Sequence, residues 1–138
     1  MFFTGSFTKN IDILNKTMDT SLLRRTVMAN NISNSDTPNF KRSQVNFESE
    51  LKRALDSEQK RPFPTVLTRK RHIPFYQPVD YRKVKPRRIL DYLTTAKNNG
   101  NNVDIEEEMM GMLQNQLMYQ SMTQLVQSEF SRVNLVLR

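Results

Sequence analysis

The 138-residue sequence has no cysteine and a single histidine, His72. Neither a disulfide framework nor a thiolate metal site can therefore form, and a histidine cluster is excluded as well. Apolar residues make up only 37% of the chain and the mean hydropathy is -0.65, so a large globular core is not expected. The N-terminal stretch MFFTGSFTKNIDILNK lacks a basic region followed by a long apolar run. It does not read as a secretory signal peptide, and a role outside the cytoplasm would need another export route. Residues 109–128 carry no charge over a length that could cross a bilayer, yet nine of them are Gln, Asn, Ser or Thr, which argues against a transmembrane segment.

What charge there is lies unevenly. Residues 41–97 hold fifteen basic and six acidic side chains, whereas residues 98–138 hold two and five, so the net charge of +7 belongs to the middle of the chain.

Apolar periodicity marks both ends as helical. Phe7, Ile11, Leu14, Met18, Leu22, Ala29 and Ile32 fall on one side of a helical wheel over residues 7–32, with Ser6 as the expected N-cap. A second helix is expected from Asp104, whose side chain can cap the first free amides while Glu107 reaches back. Glu106, Glu107 and Glu108 also suit the positive end of its dipole. Five heptads follow, with Met109, Gln116, Thr123, Phe130 and Leu137 on one line and Ile105, Met112, Tyr119, Val126 and Val133 on the other. Met110, Leu113, Leu117, Met118, Met122 and Leu125 lie outside that seam. A helix apolar or amide-bearing on nearly every side reads as one with neighbours all round.

Between the ends, Phe47, Leu51 and Leu55 recur every four residues and predict a short helix at about 47–57. Residues 62–86 contain five of the six prolines and no glycine, so an extended basic arm is expected there. The fold class expected is mainly α: long N- and C-terminal helices paired as an antiparallel coiled-coil-like hairpin, with a Pro-rich basic middle. The corresponding divisions are 1–41, 42–97 and 98–138.

Two Asn-rich junctions bracket that middle. In ANNISNSDTPNFKR, residues 29–42, short polar side chains compete with helical hydrogen bonds and Pro38 forbids continuation. Pro38 and Asn39 suit the central positions of a type II turn, with Asn39 at positive φ. The matching junction is NNGNNVD at 98–104.

These junctions carry a resemblance. Ala29-Asn30-Asn31-Ile32-Ser33-Asn34 and Thr37-Pro38-Asn39-Phe40-Lys41 resemble the ANNIANxxTPGYK motif of the axial proteins of the bacterial flagellum, with Asn39 in place of the usual Gly and Phe40 in place of Tyr. Gly100-Asn101-Asn102-Val103-Asp104 with Glu108-Met109, then Tyr119-Gln120 and Thr123-Gln124-Leu125, resemble the C-terminal pattern of the proximal-rod branch of that family. The short stretches Asn46-Phe47-Glu48 through Leu51 to Leu55, and Leu67-Thr68 with Arg71-His72-Ile73, are similar to elements of the same branch. The resemblance implies a structural subunit, exported through the flagellar type III apparatus without signal-peptide cleavage and polymerising into the periplasmic rod. It also implies partners: other copies, rod proteins such as FlgC, and the FliE adaptor with the export gate at the base. No cofactor, metal or catalytic residue follows from it.

Rival readings remain at this point. A sister rod protein such as FlgC is one. A nucleic-acid-binding or other adaptor module is another, since Arg69, Lys70, Arg71, Arg82, Lys83, Lys85, Arg87 and Arg88 are interleaved with Phe75, Tyr76, Tyr81 and Tyr92. An enzyme is disfavoured, because Glu106, Glu107 and Glu108 are consecutive at a helix start and His72 has no evident nucleophile partner.

Overall fold

A computed structural model describes residues 5–60, 66–73, 78–94 and 98–137. The chain is mainly helical, in the order α1 (Ser6–Ser33), β1 (Ser43–Asn46), α2 (Glu48–Gln59), a 3-10 turn (Tyr81–Lys83), β2 (Arg87–Leu90) and α3 (Ile105–Val136). It divides into two compact units, one formed by Met1–Val45 with Arg88–Arg138 and the other by Asn46–Arg87.

In the first unit α1 and α3 pack against each other. The contacts run in opposite senses along the two helices: the Phe7 and Phe130 rings meet edge to face at 6.2 Å, Ser21 meets Asn115, and Met28 covers Gly111. Toward the chain ends the contact is thus apolar. Toward the Asn-rich junctions polar pairs such as Ser21 with Asn115 join apolar contacts such as Met28 on Gly111, and there the most buried lines lie off the expected seams. On α1, Leu22 is 49% exposed while Ser21, Val27 and Asn31 are buried. On α3, Met109 and Leu137 are exposed, and the most buried line runs through Glu108, Asn115 and Met122. Met112, Tyr119, Val126 and Val133 flank that line half-buried, whereas Ile105 is exposed. The buried Thr20 hydroxyl is satisfied locally, its Oγ1 donating to the Lys16 carbonyl at 2.8 Å.

The helix ends follow their local chemistry. Asp104 accepts from the amides of Glu106 at 2.9 Å and Glu107 at 3.4 Å and so caps α3. Glu107 does not reach back to complete a capping box; its carboxylate is held by Arg42 instead. Ser6 opens α1 as its first residue, and the N-cap is Gly5, which supplies no side-chain bond. After α1 the chain turns through Thr37-Pro38-Asn39-Phe40, where Phe40 N–H donates to the Thr37 carbonyl at 3.3 Å and Asn39 has φ 59°.

The sequence reading contains no strand, yet β1 and β2 form a two-stranded sheet. Asp91, just past β2, donates its amide to the carbonyl of Arg42, just before β1, which makes the pair antiparallel. Along β1, Ser43 and Val45 are buried and Gln44 is exposed, the alternation a half-buried strand requires.

In the second unit, Glu48 and Glu50 sit favourably in the first turn of α2, and Phe47, Leu51, Ala54 and Tyr81 are its buried apolar side chains. Ser57 Oγ, itself donating to the Ala54 carbonyl, accepts from the Val79 amide at 2.9 Å and ties the returning chain to α2. The expected Pro-rich arm falls partly on residues 61–65 and 74–77, outside the described residues. Residues 66–73 and 78–80 carry neither helix nor strand.

Candidate assembly interface

The two Asn-rich junctions interlock, through hydrogen bonds between residues 59 to 67 apart in sequence. Asn101 is fully buried, and its Nδ2 is shared among the carbonyls of Asn34, Ser35 and Thr37, each at 2.9 Å. Its Oδ1 accepts from the Val103 amide at 2.7 Å. Asn39 N–H donates to the Asn99 carbonyl at 3.0 Å, and Lys41 Nζ to the Gly100 carbonyl at 2.9 Å. Gly100 has φ 78°, and a Cβ there would come within 2.6 Å of Asn39 Oδ1. Asn102 Oδ1 accepts from the Arg42 amide at 2.6 Å and its Nδ2 donates to the Asp91 carbonyl at 2.8 Å, joining the junction to the sheet.

Asn31 binds the strand as another strand would. Its Nδ2 donates to the Ser43 carbonyl at 2.9 Å and its Oδ1 accepts from the Ser43 amide at 3.0 Å, both fully buried. Next to it Arg42 holds two carboxylates: Nη1 and Nη2 lie 2.8 and 3.1 Å from the Glu107 oxygens, and Nε lies 3.2 Å from Glu108 Oε1. Glu108 is 4% exposed. Burial raises its carboxyl pKa above the usual carboxylate value, opposed by the hydrogen bond with Asn31 and the positive charge of Arg42. The Glu107 hydrogen bond, outweighing desolvation, raises the Arg42 guanidinium. Asp91, half-buried beside β2, is lowered mainly by its hydrogen bond from Thr94. Farther along the helix pair, Ser21 Oγ donates to Asn115 Oδ1 and Asn115 Nδ2 donates to the Ser21 carbonyl, both at 2.9 Å.

The sequence reads the junction asparagines as a helix stop, and α1 does end there, at Ser33. Asn31, Asn101, Asn102 and, on α3, Asn115 are in addition buried sockets. The available signal was an amide in an otherwise Met-rich and Leu-rich stretch; its partners come from residues far away in the chain.

The remaining face of α3 is uncharged and uncovered, its apolar side chains interleaved with exposed glutamines. Met109, Met110, Leu113, Leu117, Met118 and Leu125 are between 43% and 60% exposed, and no charged residue occurs between Met109 and Ser128. Among the described residues no helix is long and apolar enough to cross a membrane. A single large uncharged face on a monomer's longest helix is what an interaction surface presents.

Taken together, the polar locks and the bare helix define a mainly helical structural protein whose two chain ends make its principal packing. The flagellar basal body rod protein FlgB of Borreliella burgdorferi is 41% identical over 134 residues, covering 97% of this chain and 99% of the relative. The FlgB of Borrelia hermsii is 41% identical over 132 residues, covering 96% and 98%, and that of Bacillus subtilis 30% identical over 131 residues, covering 95% of both chains. No family model matches the sequence. The chain belongs to the family of flagellar basal body rod proteins FlgB.

Proposed function

We propose that this chain is a subunit of the proximal rod, polymerising through α1 and α3 into the tubular drive shaft that transmits torque and encloses the export channel. The observation that carries the reading is the outer face of α3. α1 covers one side of the helix, and the side bearing Leu117, Met118 and Leu125 is left for neighbouring subunits. In this reading the helix pair is a coiled-coil-like hairpin whose polar locks set its register, and Phe7, Ile11, Leu14 and Met18 with Tyr119, Val126, Phe130 and Val133 form its apolar end. The neighbours are further copies and rod proteins such as FlgC, with the FliE adaptor and the export gate at the base. The subunit reaches the periplasmic space through the flagellar type III system without a cleaved signal peptide. Its function is mechanical, with no catalytic residue, metal or cofactor.

A charge placed on the outer face must be buried at the interface or break it, and an unpaired buried charge costs several kcal/mol. Leu117→Glu or Leu125→Glu, expressed in a strain lacking the protein, is expected to be exported but to build no rod and leave the cells non-motile. Lys83→Glu in the second unit is expected to keep at least partial motility. Normal rods with either leucine variant would overturn the reading.

A further inference from the structure

The second unit carries a feature that helix assembly does not use. Residues 60–87 hold nine basic side chains and one acidic, and the stretch Val66-Leu67-Thr68-Arg69-Lys70-Arg71-His72-Ile73 is exposed throughout. His72 N–H donates to the Arg69 carbonyl at 3.0 Å, closing a tight turn with Lys70 and Arg71 at its tip. None of Arg69, Lys70 and Arg71 is ion-paired within the described residues. On either side of these cations stand aliphatic side chains left in water: Val66 is 89% exposed, Ile73 87% and Leu67 50%.

Three adjacent cations flanked by bare aliphatics match one kind of surface closely. At an anionic bilayer the cations face lipid phosphates while the aliphatic groups enter the boundary between headgroups and acyl chains. A single-stranded nucleic acid needs flat stacking platforms, and residues 66–73 contain no Phe, Tyr or Trp, leaving the His72 ring as the one aromatic surface there. A duplex would use the cations but leave Val66 and Ile73 without purpose, because phosphate contacts are purely electrostatic. We propose that the 66–73 turn docks on a membrane surface rich in anionic phospholipid, with Arg69, Lys70 and Arg71 on the phosphates and Val66 and Ile73 dipped below them.

The test is co-sedimentation of the full chain with vesicles of phosphatidylcholine alone and of phosphatidylcholine mixed with phosphatidylglycerol. Binding is expected only to the mixed vesicles and is expected to weaken as salt is raised from about 0.15 M to about 1 M. Each cation near an anionic surface is worth roughly fivefold in affinity, so Arg69→Gln/Lys70→Gln/Arg71→Gln should bind about a hundredfold more weakly. Val66→Ser/Ile73→Ser retains every charge and should still lose about tenfold through lost apolar burial. Helicity by circular dichroism should be unchanged in both, since the altered side chains are exposed. Equal binding to the two kinds of vesicle, or undiminished binding by the triple variant, would overturn the proposal. So would an unchanged Val66→Ser/Ile73→Ser variant combined with full displacement from vesicles by duplex DNA, an outcome that would mark a general polyanion site.

Discussion

Asn31→Ala removes both hydrogen bonds that the Asn31 amide makes with Ser43 and adds nothing in their place. Ser43 is 2% exposed, so its N–H and C=O would be left without water as well as without a partner. The ladder to β2 cannot replace them, because the adjoining bond to that strand is made by the Arg42 carbonyl. An orphaned buried backbone group costs about 1 to 3 kcal/mol, so the two together should cost about 2 to 6 kcal/mol. The loss also removes a hydrogen bond that favours the charged form of Glu108. For a chain of this size each kcal/mol moves the melting temperature by about 4 °C, so a fall of at least about 8 °C is expected in thermal melts followed at 222 nm. Asn30→Ala is the matched control, since that side chain is exposed and should change stability by less than about 0.5 kcal/mol. Equal melting of Asn31→Ala and Asn30→Ala would refute the view that this asparagine acts as a surrogate strand.

Further predictions follow from other contacts. Gly100→Ala should destabilise by about 1 to 3 kcal/mol in urea denaturation, because φ 78° and the 2.6 Å approach of Asn39 Oδ1 both oppose a Cβ. Gly111→Ala should be neutral or stabilising by up to about 1 kcal/mol, since only the flexible tip of Met28 must give way within a helix. Asn115→Leu alone should weaken the pair by leaving the Ser21 hydroxyl buried without its partner, while Ser21→Ala with Asn115→Leu should restore or exceed wild-type stability in the same assay; equal losses in both would contradict a reciprocal lock. Glu108 has a raised folded pKa, so its contribution is fully present below its ordinary value of 4.5 and is lost as pH rises through the folded value. The stability of the wild type relative to Glu108→Gln should therefore fall as pH climbs out of that range, and denaturation curves showing it rise would reverse the assignment.

The sequence by itself determined the extents of the helices to within a residue or two, the Asp104 cap and the turn after α1. A 3.6-residue period, the Asp104 cap and the Pro38-Asn39 pair are local instructions, since each acts through bonds or sterics within a few residues, and α1, α2, α3 and the positive φ of Asn39 follow them. Which line of α3 turns toward α1 was decided by the tertiary structure. Apolar and amide side chains surround that helix almost evenly, so its own pattern singles out no face. Glu108 and Asn115 are drawn inward because Arg42, Asn31 and Ser21 wait there to satisfy them. The same holds for the β1–β2 sheet, whose strands lie about forty residues apart and carry only four residues each. The asparagine junctions show both levels at once: as local sequence they stop a helix, and only when Asn101 reaches the carbonyls of Asn34, Ser35 and Thr37 do they become a buried clasp. An amide carries no sign of whether its partner will be water or a distant backbone, and that choice is made by the packing that removes the water.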